Sequence, residues 1–208
     1  LLALQKEIAL KEEALSEIAN KLRSGRVKAA KAINKEVVLD LQLMGISQAQ
    51  IDFEVSDCEL NNYGFDTVSI LFSANKGKAM GNLSKTASGG ELSRVMLSLK
   101  RILSSKSALP TIVFDEIDTG VSGEVADKMG GIMKSMGETM QVLTITHLPQ
   151  IAAKGNAHYK VFKSHDTEIT TSQLKELNSK DRIEEIAQML SGSKITQAAL
   201  DNATELLA

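Results

Sequence analysis

An α/β fold led by a helical arm is predicted by three features of this 208-residue sequence. Two short apolar runs, Thr111-Ile112-Val113-Phe114 and Val142-Leu143-Thr144-Ile145, read as buried strands with a parallel-sheet look. Val121 to Met136 between them is helical, so strand, helix and strand imply a right-handed βαβ unit. Ahead of that unit the apolar residues alternate with period two, and at the start of the chain they repeat with period seven.

The elements follow in order. Leu1, Leu4, Ile8, Leu15, Ile18 and Leu22 occupy a and d positions of a heptad, with Lys11 as the single polar intrusion. A coiled-coil arm over residues 1–44 is expected, ahead of a lobe over residues 45–208. About three heptads are also compatible with an amphipathic helix packed on its own domain. After Gly45, Ile51, Phe53 and Val55 alternate against polar neighbours, as do Val68, Ile70 and Phe72 after the turn residues Asn61-Asn62 and Gly64. This predicts an antiparallel strand pair. Residues 75–90, rich in Gly, Lys, Asn and Ser, read as a loop leading to a helix from about Glu91 to Leu103. Beyond the βαβ unit come strands at Tyr159–Phe162 and Thr167–Leu174, then helices at Lys180–Leu190 and Thr196–Leu207 separated by Gly192.

With 43% hydrophobic and 24% charged residues, the chain has enough apolar material for one compact domain with an appendage. A net charge of -2 gives no overall pull toward nucleic acid or membrane, so any such contact is local. One local feature stands out: six basic residues and no acidic one from Lys21 to Lys35 (Lys21, Arg23, Arg26, Lys28, Lys31, Lys35). That run reads either as a solvated helix face or as a contact for a phosphate backbone. The single cysteine, Cys58, rules out an internal disulfide and a multi-cysteine zinc site and agrees with a reducing, cytoplasmic setting. The opening Leu1-Leu2-Ala3-Leu4, with acidic residues soon after, is no signal peptide, and no stretch is long enough to span a bilayer. The missing initiator methionine suggests a start inside a longer protein.

Three places carry chemistry. In Ser88-Gly89-Gly90-Glu91, two glycines let the backbone approach an anion, and the following helix offers unpaired N–H groups and a positive dipole end. Ser88 with Glu91 three positions on is equally a capping box that does no more than start a helix. Asp115 and Glu116 stand at the carboxyl end of an apolar strand, the edge where open α/β sheets bind ligands. There Asp115 suits Mg²⁺, and Glu116 suits the water that attacks a γ-phosphate, the bland alternative being an acidic turn. Asp118 either caps the next helix or reaches toward a second subunit. His147 holds the same relation to the next strand, where it can donate to a γ-phosphate oxygen; His158 and His165 have no such setting. A phosphate-cradling G-x-x-x-x-G-K-[ST] loop is missing, because Gly77-Lys78 has Phe72 at the first glycine position and Ala79 at the hydroxyl position.

The series Ser88 to Glu91, Thr111 to Glu116, Asp118-Thr119-Gly120 and Thr146-His147 resembles, in order and spacing, the signature, Walker B, D-loop and switch-histidine motifs of ABC-type ATPases. More narrowly, residues 83–94, 114–123 and 144–152 are similar to the RecN group of bacterial DNA-repair ATPases, relatives of the SMC chromosome proteins. Glu91 stands where transporters carry glutamine and Ala87 where they carry leucine, and both departures are features of that group. The resemblance implies the C-terminal lobe of an ABC-type (P-loop NTPase) ATPase head with an N-terminal coiled-coil arm segment. It implies ATP and Mg²⁺ as cofactors, with the phosphate loop supplied by the head's own N-terminal half. Two heads would sandwich two ATP molecules as a homodimer, with Ser88, Gly89, Gly90 and Glu91 at the partner's nucleotide and Asp118 in the D-loop. Asp115, Glu116 and His147 would serve their own nucleotide, and DNA would be the partner, at the nucleoid. The rival reading is a nucleotide-gated structural or DNA-binding clamp without turnover.

Overall fold

The computed structural model describes residues 2–106, 109–164, 171–192 and 194–208. Leu1, His165 and the first part of the strand expected from Thr167 lie outside them. The chain divides into two compact units, Leu1–Ile102 and Leu103–Ala208.

In the first unit, α1 runs unbroken over Leu2–Leu43, about 63 Å at 1.5 Å per residue. Every residue from 2 to 18 is exposed, including the heptad positions Leu4, Ile8, Leu15 and Ile18, so this part packs on nothing in its own unit. From the buried Ala19 onward the helix lies on a hairpin of β1 (Gln50–Asn61) and β2 (Gly64–Ser73). Arg23 and Arg26 pair with Asp57 and Asp66, which face each other across the hairpin, and Arg23 sits 5.8 Å over the Phe65 ring. Asn34 Nδ2 donates to the Ile51 carbonyl at 2.6 Å. The helix stops at Gly45, whose φ of 83° lets the Ile46 N–H turn back to the Leu41 carbonyl at 2.8 Å.

The segment expected as loop between 75 and 90 contains a two-residue strand, β3 (Gly81–Asn82), paired with β2, and a helical turn, α2 (Leu83–Thr86). Asn82 starts that turn by accepting from the Ser84 N–H at 3.2 Å, a cap that a Gly- and Ser-rich composition conceals. Helix α3 (Gly89–Ser104) buries Val95, Leu97, Ser98 and Ile102. Its link to the arm is polar: Ser98 Oγ donates to Asp40 at 2.5 Å, and Arg101 Nε reaches the same carboxylate at 2.8 Å.

In the second unit, β4 (Thr111–Asp115) and β5 (Gln141–Ile145) pair in parallel, with Asp115 opposite Ile145. Helix α4 (Gly123–Met136) connects them. The strands are not buried on both faces as their apolar runs predict. Ile112, Phe114, Val142 and Thr144 are covered, whereas Val113, Leu143 and Ile145 point outward, with Val113 57% and Ile145 56% exposed. A run apolar on both faces is suited to a sheet covered on both sides, and within this unit one cover is lacking. The short helix α5 (Pro149–Ala152) packs closely on α4, where a side chain at Gly130 would meet the backbone of Gln150 and Ile151 at 3.4 Å. Strands β6 (Tyr159–Ser164) and β7 (Thr171–Glu176) form an antiparallel hairpin. Helices α6 (Ser179–Ser191) and α7 (Gln197–Leu207) close the unit around Ala153, Ile186, Ala187, Ala199 and Ala203.

Candidate functional site

The glycine-rich motif and the acidic strand end fall in different units. In the first, Ser88 and Gly89 are exposed and Gly90 is half-buried at the start of α3. The Leu92 N–H donates to the Ser88 carbonyl at 2.8 Å, and the Ser88 N–H donates to the Glu91 carboxylate at 2.8 Å. Glu91 therefore turns back on its own helix start, which orders the loop. Arg94, unassigned by the motif, fixes the loop from behind: its guanidinium donates to the Gly90 carbonyl at 3.0 Å and to the Met44 carbonyl at 2.9 Å. Open space lies where a Gly89 side chain would stand.

In the second unit, parallel pairing brings the ends of β4 and β5 to one edge. Asp115 and Glu116 emerge from β4, and His147 leaves the end of β5 two residues beyond Ile145. Asp115, Glu116 and His147 are all exposed. Glu116 has a φ of 47°, the left-handed region that side chains beyond glycine rarely occupy. Three bonds hold it there: its N–H donates to the Ile145 carbonyl at 3.2 Å, and its carbonyl accepts from the Thr119 N–H at 3.3 Å and hydroxyl at 2.9 Å. A strained residue held by its surroundings at a strand end is a recurrent mark of functional sites.

Asp118 points inward. It is 1% exposed, and the cap position of α4 belongs to Ser122, so Asp118 does not cap that helix. Its Oδ2 accepts from the Thr146 hydroxyl and lies 3.8 Å from His147 Nδ1. Thr146 Oγ1 in turn accepts from the Leu148 N–H at 3.0 Å. The sequence marks Thr146 only as the residue before His147; nothing local shows that its hydroxyl meets a carboxylate 28 residues away.

Among the described residues no three His, Cys, Asp or Glu side chains gather as a metal cage. Asp115, exposed at the strand end, fits a hard cation such as Mg²⁺, which one or two carboxylates suffice to hold. Among the described residues no helix is long and apolar enough to cross a membrane.

The fold is shared with SMC heads. The SMC head domain with a coiled coil and joint from Pyrococcus yayanosii matches with a TM-score of 0.64 at 15% identity, over 91% of this chain and 36% of that one. The Pyrococcus furiosus SMC head with an extended coiled coil, bound to the C-terminal domain of ScpA, matches with a TM-score of 0.63 at 16% identity, over 91% of this chain and 45% of that one. Fold and element order thus define an α/β lobe with the fold of SMC heads. No protein-family profile matches the chain. Curated relatives do: the DNA repair protein RecN of Rickettsia conorii is 41% identical over 92% of this chain, that of Vibrio cholerae 37% over 99%, and that of Deinococcus radiodurans 38% over 99%. The chain belongs to the RecN family and spans 35–37% of the length of these relatives.

Proposed function

We propose that the chain is the C-terminal lobe of an ATPase head that acts in DNA double-strand-break recombination and repair. The observation that carries this reading is the common edge of β4 and β5, where Asp115, Glu116 and His147 emerge together and exposed. The bare outer face of the same sheet supports a partner layer, which we assign to the head's own N-terminal half with its phosphate loop.

Asp115 would hold Mg²⁺, which would supply positive charge against the phosphoryl group being transferred. Glu116 is placed to accept a hydrogen bond from the attacking water and orient it, and the fixed φ at this residue limits where the carboxylate points. His147 donates to a γ-phosphate oxygen. The exposed Ser88-Gly89-Gly90 loop, ordered by Glu91 and Arg94, presents backbone N–H groups and a helix dipole to the nucleotide of a second head. ATP between two heads then favours the dimer, and hydrolysis to ADP and phosphate releases it. With no phosphate loop of its own, the chain alone binds ATP negligibly and does not turn it over.

DNA is the macromolecular partner in this reading. On α1, Lys28, Lys31 and Lys35 are exposed and carry no ion pair among the described residues, whereas Arg23 and Arg26 of the same basic run are committed to the hairpin. The three lysines are the part of the run left for phosphate contact.

The test combines this chain with its N-terminal head half and compares wild type with Glu116→Gln. Turnover that Glu116→Gln abolishes while an ATP-bound dimer accumulates supports the assignment. A correctly assembled wild-type head that never hydrolyses ATP removes it and leaves a nucleotide-gated clamp.

A further inference from the structure

Asp118 is almost fully buried, yet only one of its two carboxylate oxygens is satisfied. Oδ2 accepts from the Thr146 hydroxyl, while Oδ1 is buried with no hydrogen-bond partner among the described residues. A buried carboxylate missing part of its hydrogen bonding is costly, so its retention calls for a donor. No Lys or Arg pairs with it among the described residues; the cation-forming group beside it is His147, whose Nδ1 lies 3.8 Å from Oδ2, the oxygen that also accepts from Thr146. That separation exceeds a hydrogen bond, and a small rotation of the exposed ring or of the carboxylate closes it.

We infer that Asp118 is a positioning residue for His147, acting through the loop and through the ring. The loop is held by a relay of hydrogen bonds: the Leu148 N–H donates to Thr146 Oγ1, and the Thr146 hydroxyl donates to Asp118. His147 sits between the two relay residues, so its Cα is fixed from both sides. Its foundation is also firm, because α5 begins at the buried Pro149 and packs on α4. The ring is oriented by charge, since the nitrogen nearer the carboxylate is Nδ1 and Nε2 is left as the other edge of the imidazole. Donation from Nδ1 to Asp118 fixes that hydrogen, the arrangement by which a carboxylate sets the tautomer of a working histidine. A ring that donates from Nδ1 to Asp118 and from Nε2 to a phosphate oxygen carries both protons, and the two anions share its charge.

This inference rests on the reading of His147 as a γ-phosphate contact, but its first test does not need turnover. In ¹⁵N-labelled protein above neutral pH, the ring nitrogens of His147 report the tautomer directly. The expected result is a proton on Nδ1 in the wild type and a shift toward Nε2–H in Asp118→Asn. A wild-type ring protonated on Nε2 alone overturns the inference even if the variant does not fold.

The second test uses the assembled head. Asp118→Asn should lower kcat roughly ten- to a hundredfold, as removal of a carboxylate that orients a metal-bound histidine does, with KM for ATP nearly unchanged. In a His147→Ala background the same substitution should cost nothing further, because both changes remove one function. An equal loss in both backgrounds makes Asp118 independent of His147 and overturns the inference. Glu116→Gln, read alongside, reports on the ATPase assignment itself, so the two failures are told apart.

Discussion

Glu116 is held at a φ of 47° by a bond to the Ile145 carbonyl and two from Thr119, and a left-handed non-glycine residue costs roughly 1–2 kcal/mol. Glycine pays no such penalty but loses more freedom on folding. Glu116→Gly is therefore expected to stabilise the chain by up to about 1 kcal/mol and, under the proposed ATPase reading, to abolish turnover in the assembled head. A lower thermal midpoint for the variant would show that the carboxylate contributes more to the fold than the strain removes. A second residue-scale effect concerns His158. Burial chiefly, with help from Arg182 and Lys160 and against Glu185, holds its pKa below the ordinary histidine value, and its Nδ1 is buried without a partner among the described residues. The unfolded chain therefore takes up a proton at a pH where the folded chain does not. Stability is constant above the ordinary histidine range, falls as pH drops through it, and levels off once the folded state also protonates. Urea midpoints from pH 8 to pH 5 should show that fall, and His158→Gln should flatten it; an unchanged slope in the variant would assign the fall to other groups.

At the scale of elements, α1 divides its basic run between two tasks. Arg23 and Arg26 lie on the side facing the hairpin, where the Asp66 side chain is fully buried, its Oδ1 paired with Arg26 and its Oδ2 without a hydrogen-bond partner among the described residues. Removing Arg26 would leave that charge uncompensated, so this pair sets how the arm joins the lobe. Lys21, Lys28 and Lys35 recur every seven residues, with Lys31 beside them, which places all four along one exposed strip. If the strip meets DNA, each phosphate contact contributes about one unit to the salt dependence of binding. Changing Lys28, Lys31 and Lys35 together to Ala in the assembled protein should weaken DNA binding across sequences alike and lower the log–log salt slope by about 3. An unchanged slope would move the DNA contact elsewhere.

For the whole molecule, the bare face of β4 and β5 predicts how the head is built. Val113, Leu143 and Ile145 point out from a two-stranded parallel sheet that no further strand joins among the described residues. Parallel sheets occur almost only where both faces are covered. Leu143→Glu should leave the isolated chain folded, because the residue is already exposed, and should block assembly with the N-terminal half by more than tenfold, since a charge buried without a partner costs several kcal/mol. Circular dichroism checks the first and co-purification the second; normal assembly would place the partner layer on another surface.

What the amino-acid order by itself determined was local. The heptad set the helix of the arm, Gly45 its end, period-two alternation the hairpin, and the apolar runs with a helix between them the parallel pair, because each depends on neighbours within a turn or a strand. Motif spacing likewise placed Asp115, Glu116 and His147 at strand ends. Tertiary structure alone decided what those residues meet. Asp118 turns inward to Thr146, Arg23 and Arg26 take the two hairpin aspartates, and one face of a strand pair with apolar residues on both faces is left bare. These outcomes depend on strand register and on which chain segments are present to pack, and no local pattern of residues encodes either.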